Sequence, residues 1–248
     1  MREEPHSNMN LQNPLNNVRI VLSHTSYPGN IGASARAMKT MGLNSLFLVD
    51  PKRFPDREAE MLASGGVDVL AKARVCASLD EALSGTVLAA ALSARPRELS
   101  HTSYFAKQAA GILLEQARQH KVAVVLGGEV SGLSNEEIMK CQMLVYIPAN
   151  PEYASLNLAA AVQVMCYELR LALENPIARD SEFEPATFEE IEMFYRQLEK
   201  TMVSTGFLNP DHPKRLMERL RRMFARARLE KEEINILRGI LKAFLKNS

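Results

Sequence analysis

The stretch MLVYIPANPEYASLNLAAAVQVMCYEL, Met143–Leu169, decides the fold of this chain. Its first residues are apolar enough for a buried strand, a loop with Asn150, Pro151 and Glu152 follows, and SLN then opens an alanine-rich helix. Small and amide side chains at a strand-to-helix junction leave backbone groups and a helix N-terminus open to a ligand. The pattern therefore predicts a binding site in this segment. A polar helix cap without a ligand is the alternative.

Strands and helices alternate on the N-terminal side of this stretch, from Val18 onward. Apolar runs of strand length are separated by helical periodicity, which includes a long helix over roughly Tyr104–Gln119 and a capping-box spacing at Ser134. Parallel strands that are buried on both faces have this composition. The sequence therefore predicts an α/β fold with strands at Val18–Leu22, Ser45–Val49, Ala73–Cys76, Val87–Leu92, Val122–Leu126 and Met143–Pro148.

The composition changes after Asn175. Pro176–Pro185 contains two prolines and several acids, which is typical of a linker. From Thr187 onward apolar residues recur at helical spacing only, and Thr187 with Glu190 has the spacing of a capping box. The sequence predicts a flexible leader over residues 1–17, an α/β domain over 18–175, a linker over 176–186 and a helical extension over 187–248.

The composition also excludes several classes of protein. The formal net charge of +1 gives no overall field that attracts nucleic acid, so any such contact needs a local basic patch. Cys76, Cys141 and Cys166 lie far apart in sequence, which predicts buried thiols in a reducing compartment and no metal site. No apolar run approaches the roughly 18 residues of a membrane span, and the N-terminus lacks the apolar core of an export signal. A cytoplasmic location is expected.

Several familiar chemistries lack their motifs in this chain. GxGxxG after a strand, GxxxxGK[ST], HExxH and GxSxG are all absent, and the five histidines are scattered. Any catalysis must then depend on positioning by Arg, Asn, Ser, Glu and backbone groups. Such groups suit transfer from an activated donor, whose leaving group departs with little acid–base help.

Two further loops combine small and polar residues beside strands. The segment Asn30–Arg36 follows the first strand and begins a helix, and Gly127–Leu133 follows the most apolar strand. Glycines in the second segment allow the backbone to approach a flat ligand closely, and Glu129 is placed to orient that ligand. Taken singly, a solvated helix arginine and a plain turn are the alternatives for these two loops.

In sequence order the three segments read N-x-G-x-x-x-R, G-x-E-x-x-G-L and I-P-x(6)-S-L-N. This combination resembles the motifs of the SPOUT methyltransferases, in the TrmH-like branch of RNA 2′-O-methyltransferases. The resemblance covers about Val18–Leu241. Within the branch it points to the bacterial tRNA enzymes that methylate the cytidine or uridine at position 32, which opens the anticodon loop. Methylation of ribosomal RNA or of a wobble nucleotide, and RNA binding without catalysis, are the alternatives.

The resemblance implies S-adenosyl-L-methionine as cofactor, tRNA as substrate, and no metal or membrane. It also implies a deep trefoil knot in the C-terminal part of the α/β domain, which is a rare exception to unknotted topology. A homodimer is expected, in which one subunit supplies residues to the active site of the other. By position, the cofactor would contact mostly backbone and small groups, at Leu92, Ser93, Ala94, Gly127, Ile147, Ala154, Ser155 and Leu156.

The resemblance also assigns catalytic positions. Arg36 matches the catalytic arginine of the family. Because a guanidinium stays protonated, Arg36 is expected to position the ribose hydroxyl or the adjacent phosphate and to stabilise the developing alkoxide, rather than to act as the base. The chain departs from the usual pattern at Gly128, where an arginine is usual, and at Leu92, where a threonine is usual. The groups expected to orient around Arg36 are Asn30, Glu129, Ser155 and Asn157.

Two sets of basic residues are predicted to contact RNA. Arg95 and Arg97 follow the predicted strand Val87–Leu92, and the segment His212–Arg228 carries seven Lys or Arg residues against one acid. A solvated basic helix face is the alternative for the second set, and an RNA substrate favours a surface that follows phosphates. Helical spacing predicts one face with Arg215, Arg219, Arg222 and Arg226 and another with Leu216, Leu220 and Met223.

Overall fold

The α/β fold is confirmed by a seven-stranded parallel sheet. The structure is a computed structural model that describes residues 13–94, 102–174 and 184–246. The strands are β1 Val18–Ser23, β2 Ser45–Val49, β3 Arg74–Cys76, β4 Thr86–Leu92, β5 Ser103–Phe105, β6 Lys121–Gly127 and β7 Met143–Tyr146. All neighbouring pairs are parallel, and the order across the sheet is β3-β2-β1-β6-β4-β7-β5.

Helices cover the sheet and form the C-terminal extension. Those of the α/β part are α1 Pro28–Met41, α2 Arg57–Ala63, α3 Val67–Ala71, α4 Leu79–Leu83, α5 Ala106–Ala117, α6 Asn135–Met139 and α7 Leu158–Glu174. Those of the extension are α8 Phe188–Ser204, α9 Leu216–Ala227 and α10 Lys231–Lys246. Short 3-10 turns lie at Pro14–Asn17 and Ser64–Gly66. Both predicted capping boxes form, at Ser134 before α6 and at Thr187 before α8.

Two apolar layers bury the two faces of the sheet, because successive strand residues point to opposite sides. Ile20 and Leu22 of β1 lie in the core beneath α1, α5 and α7, whereas Val21 lies in the core beneath α4 and α6. Strand β6 alternates in the same way and is almost completely buried. The strands that the sequence predicted from near-continuous apolar runs are therefore buried on both faces, as that composition indicated.

The structure differs from the predicted elements at two places. Residues 103–105 form the edge strand β5 beside β7, where the sequence predicted the start of a helix, because Tyr104 pairs with Val145 and Phe105 with Tyr146. Near the N-terminus, Leu15 is fully buried in the core, and the turn Pro14–Asn17 packs beneath α5. The folded part therefore includes Pro14–Asn17, which the sequence predicted as part of a flexible leader.

The C-terminal extension packs on the α/β part and is more than an appended tail. The Phe188 ring is buried in the same core as Leu83 and Ala91, and the Glu189 carboxylate accepts the backbone N–H of Gly85 at 2.7 Å. Most of the predicted linker over 176–186 lies outside the described residues, but Ala186 is buried in the core of the extension. These contacts fix α8 against β4 and thereby orient the helices that follow it.

Candidate active site

A cavity opens at the carboxyl ends of the central strands, where ligands bind in open parallel sheets. Its wall comes from the ends of β4 and β6 and from the segments that follow β6 and β7. One side of the cavity is formed by the consecutive residues Leu126–Leu133, which run from the end of β6 into the loop that follows it. All eight positions assigned to the cofactor line this one cavity: Leu92, Ser93, Ala94, Gly127, Ile147, Ala154, Ser155 and Leu156.

The loop Gly127–Leu133 has a shape that only glycine permits at its start. A Cβ atom at Gly127 would lie 2.1 Å from the carbonyl carbon of Gly132, and one at Gly128 would lie 2.6 Å from the carbonyl oxygen of His24. The Gly132 N–H donates to the Gly128 carbonyl at 3.0 Å and closes the loop. Because backbone atoms stand in the way at both positions, an arginine at Gly128 would require the loop or the end of β1 to move.

The Glu129 carboxylate is the centre of a hydrogen-bond network beside the cavity. It accepts the Ser26 N–H at 2.9 Å, the Ser26 hydroxyl at 2.8 Å, the Tyr27 N–H at 3.3 Å and the Asn30 amide at 2.8 Å. Partial burial opposes ionisation of Glu129, but the hydrogen bonds from Asn30 and Ser26 outweigh it and lower its pKa to about 2. Glu129 is therefore an ionised hydrogen-bond acceptor at neutral pH and a poor base.

Asn30 connects this carboxylate to the start of α7. Its side chain is buried, with the amide donating to Glu129 and the carbonyl oxygen accepting from the Asn157 amide at 3.0 Å. The Asn157 oxygen accepts the N–H groups of Ala159 and Ala160 and so caps α7. Three of the five predicted catalytic residues thus form one continuous network, although they are far apart in sequence.

Ser155 and Arg36 have different positions relative to that network. Ser155 is exposed and lines the cavity together with Glu129. Arg36 is exposed on α1, six residues after Asn30, which puts its Cα about 9 Å further along the helix axis. It does not line the cavity, and its backbone lies against Gly66 instead. A single chain therefore brings together four of the predicted residues and leaves the arginine outside.

The predicted RNA-binding arginines lie partly outside the described residues. Arg95 and Arg97 are not among them. The other four share one helical face, as the sequence predicted, with three of them on α9 and one directly before it: Arg215, Arg219, Arg222 and Arg226. Of these, Arg215 precedes the first turn, and its Nε lies 2.8 Å from Glu218 Oε2. Helix α9 also contacts α6, which follows the cavity loop directly.

The opposite face of α9 packs on α8. Phe224 contacts the Phe194 ring edge-on at 5.0 Å between centroids, and Arg221 makes two hydrogen bonds, of 2.5 and 2.8 Å, to the Glu192 carboxylate. Met217 and Phe224 are the residues of α9 that pack against the core of the extension, and Met223, on the predicted apolar face of Leu216, Leu220 and Met223, is 45% exposed. The ion pair leaves the Arg221 side chain only 20% exposed, Arg222 is half-buried, and Arg219 and Arg226 are exposed.

Two family models match the chain. The SpoU rRNA Methylase family model matches residues 17–167, and the model of the tRNA methyltransferase TrmJ, C-terminal domain, matches residues 189–248. The chain belongs to the SpoU methylase family. It is therefore a methyltransferase, and the resemblance to the TrmH-like branch of the SPOUT enzymes is confirmed.

The chain is similar to SpoU-family enzymes over most of its length. It is 46% identical over 239 residues to the tRNA (cytidine/uridine/adenosine-2′-O-)-methyltransferase TrmJ of Pseudomonas aeruginosa, covering 92% of this chain and 93% of that protein. It is 47% identical over 236 residues to the tRNA (cytidine/uridine-2′-O-)-methyltransferase TrmJ of Pectobacterium atrosepticum, covering 94% and 98%. The crystal structure of TrmJ from Z. mobilis ZM4 matches with a TM-score of 0.80 at 31% identity, over 91% of this chain and 97% of that one.

Four residues around the network were missed in the sequence. Ser26 and Tyr27 supply most of the donors to Glu129, and Glu137 accepts the Ser23 hydroxyl at 2.5 Å. Polar residues directly after β1 were the available signal for Ser26. Glu137 had a local explanation as a capping residue, so its contact with a serine 114 positions earlier was hidden.

We expect Glu129→Gln to lower the free energy of unfolding by an amount that depends on pH. The wild-type pKa is lowered from 4.5 to about 2 on folding, so the stabilising effect is present above about pH 4.5 and is lost as pH falls towards 2. The difference between wild type and variant should be constant from pH 7 to 5 and shrink below that, in urea unfolding followed by circular dichroism. Glu136→Gln, an exposed carboxylate on α6, is the control and should lose less stability at pH 7. A difference that did not shrink in acid would contradict the assignment.

Proposed function

We propose that the chain methylates the ribose 2′-hydroxyl of the cytidine or uridine at position 32 of tRNA, with S-adenosyl-L-methionine as methyl donor. The observation that carries this is the Glu129–Asn30–Asn157 network, which lies at the edge of the cavity lined by every position assigned to the cofactor. The similarity to two TrmJ enzymes whose names specify tRNA 2′-O-methylation supports the choice of substrate.

The cavity wall suits this cofactor. Its assigned positions are glycine, alanine, serine and aliphatic residues, which leave backbone groups accessible for hydrogen bonds to an adenine and give apolar contact to its ring. Residues Leu92–Ala94 and Ala154–Leu156 would hold it from two sides, with Gly127 and Ile147 between them. When bound, S-adenosyl-L-methionine supplies a methyl group on a sulfonium, which is already a good leaving group.

The polar residues would then orient the attacking hydroxyl. Glu129 is a weak base because its pKa is about 2 and four hydrogen bonds already point at its oxygens. Its role is to hold Asn30, and through it Asn157, in one orientation. Ser155 is exposed in the cavity and would contact the ribose. Arg36 would place its guanidinium at the hydroxyl or neighbouring phosphate and stabilise the negative charge that develops on the oxygen.

A homodimer would bring Arg36 to the site. Within one chain this residue lies outside the cavity, so we propose that the partner subunit supplies it. The apolar side chains of Met61 and Leu62 on α2 and Tyr167 on α7 are exposed, and these two helices pack against α1. Pairing of two subunits through α1 and its neighbours would cover these side chains and carry each Arg36 across the interface.

The knot is also part of the proposal. Strand β7 lies between β4 and β5 in the sheet although it follows both of them in the chain. After β7 the chain continues through Ile147–Asn157 to α7, which packs on α1 and α5. Threading of Ile147–Asn157 through the chain that precedes β7 would form the trefoil and would bend the cavity wall around the cofactor.

Action on tRNA implies a cytoplasmic enzyme that needs neither a membrane nor a metal. Among residues 13–94, 102–174 and 184–246, no helix is long and apolar enough to cross a membrane. The same described ranges contain no group of three or more His, Cys, Asp or Glu side chains that would hold a metal ion.

Incubation with methyl-labelled S-adenosylmethionine and total RNA, followed by mapping of alkali-resistant linkages, tests the function. We expect label at position 32 of tRNA, and the sets of tRNA that carry C, U or A there would define base preference. The name of the matching family model makes ribosomal RNA the second candidate substrate. Label in ribosomal RNA, or at a wobble nucleotide of tRNA, would contradict the proposal. Absence of label would favour an RNA-binding protein without catalysis.

A further inference from the structure

A second carboxylate holds the far end of the cavity loop. Glu137, in the first turn of α6, accepts the Ser23 hydroxyl on Oε1 at 2.5 Å and the Ser134 N–H on Oε2 at 2.7 Å. Ser23 is the last residue of β1 and is 1% exposed. One half-buried carboxylate therefore joins the end of β1 to the start of α6 through a charge-assisted hydrogen bond.

The loop Gly127–Leu133 is thus attached to one stretch of chain at two points. Near its start Glu129 bonds Ser26 and Tyr27, and just beyond its end Glu137 bonds Ser23. Seven residues lie between these two carboxylates: Val130–Gly132 are exposed and line the cavity, and the next residue, Leu133, is buried in the core. The bridge between Gly128 and Gly132 and the buried Leu133 side chain hold the backbone of the loop, and the two carboxylates add side-chain attachments to the end of β1 and the residues after it.

The two carboxylates have different surroundings and therefore different roles. Glu129 lines the cavity and bonds Asn30, whereas Glu137 is not among the lining residues. Glu137 can thus affect a ligand only through the loop. Ser23 contributes nothing to the helix cap, since the Ser134 hydroxyl bonds the Glu137 N–H at 3.2 Å independently. The contact between Ser23 and Glu137 is therefore separate from the cap of α6.

We propose that Glu137 is a positioning residue that, through Ser23, holds the Gly127–Leu133 loop in the conformation that binds the S-adenosylmethionine of the proposed function. Glu137 affects cofactor binding through the loop, whereas the Glu129 network orients the ribose hydroxyl. Loss of the contact should therefore weaken cofactor binding more than it slows methyl transfer at saturation.

Ser23→Ala and Glu137→Ala test this in the full-length protein. Each is expected to raise the Kd for S-adenosylmethionine in calorimetry, and its KM at saturating tRNA, by about tenfold, with kcat changed by less than about threefold. The double variant should be no worse than Glu137→Ala alone, because that substitution already removes the only contact that Ser23→Ala is designed to remove. Ser23→Ala keeps the α6 cap, and Glu136→Ala, the neighbouring carboxylate, should leave both constants unchanged.

A Ser23→Ala protein with wild-type Kd and KM would overturn the inference, as would a fall in kcat at unchanged KM. Effects of the two substitutions that simply added would also contradict it, since they would act independently. The binding measurement keeps the two proposals apart. A wild type that binds S-adenosylmethionine without methylating tRNA would defeat the proposed substrate only, and the variants would still report on the loop. A wild type that does not bind the cofactor would defeat both.

Discussion

Arg36→Ala is expected to lower kcat for tRNA methylation by about 10²–10³-fold while the protein folds and binds S-adenosylmethionine normally. The substitution removes a fixed cation from the oxygen that becomes negatively charged in the transition state. Removal of one such donor lowers kcat by about this factor. Arg36 is exposed and makes no contact with the cavity of its own chain, so stability and cofactor affinity should not change. Initial rates with saturating tRNA and labelled cofactor measure kcat.

Lys39→Ala is the matched control, since Lys39 is an exposed cation one turn further along α1, bonded to Asp68. It should retain near-normal kcat. Arg36→Lys should recover only part of the activity, because an ammonium group lacks the planar fork of the guanidinium. Near-normal methylation by Arg36→Ala, in protein that is folded and binds cofactor, would refute the assignment.

Mixing Arg36→Ala with Glu129→Ala, which removes the centre of the network at the cavity and is expected to be inactive, tests whether the site is shared between subunits. In a mixed dimer of Arg36→Ala and Glu129→Ala chains, a shared site combines the intact cavity of the first with the intact arginine of the second. Random exchange makes about half of the dimers mixed, each with one complete site, so about a quarter of wild-type activity should return. A site contained within one chain would give no recovery, because every chain carries one defect.

The sequence predicted the central strands well because their burial on both faces forces apolar runs, as in Val122–Leu126. It placed the cavity because small and polar residues follow those strands at one edge of the sheet. Strand β5 escaped prediction because three residues that run straight into a helix have no periodicity of their own. Its existence depends on pairing with β7, a contact that no local pattern encodes.

Contacts between distant segments were also beyond the sequence. Phe188 has the spacing of a helix residue that packs within its own extension, yet it fills a gap in the core of the α/β part. Asn30, Glu129 and Asn157 were predicted as neighbours only by resemblance, and the hydrogen bonds that join them span about a hundred residues. Ser23 and Glu137 each satisfied a local pattern, so nothing in either segment indicated the other.

Replacing the three arginines at 219, 222 and 226 by alanine is expected to weaken tRNA binding at least tenfold near physiological salt, with cofactor affinity unchanged. Their side chains lie opposite the face of α9 that packs on α8, so their removal should not unfold the extension. Each lost phosphate contact should also reduce the magnitude of the slope of log K for tRNA binding against log salt concentration by somewhat less than one. The three substitutions together should reduce it by about two to three. Filter binding of unmodified tRNA across a salt series measures both quantities.

This set of substitutions is a sharper test than deletion of the extension. Deletion would remove Phe188 from the core of the α/β part and Glu189 from Gly85, so a loss of tRNA binding could not be separated from damage to the catalytic domain. The matched control replaces three exposed cations on other helices of the extension, Arg196, Lys200 and Lys242. Both triple variants remove the same charge. If the tRNA phosphates bind along the arginine face of α9, only the substitutions at 219, 222 and 226 should reduce tRNA affinity and its salt dependence. Equal losses in the two sets would mean that net charge, and not this face, attracts the tRNA.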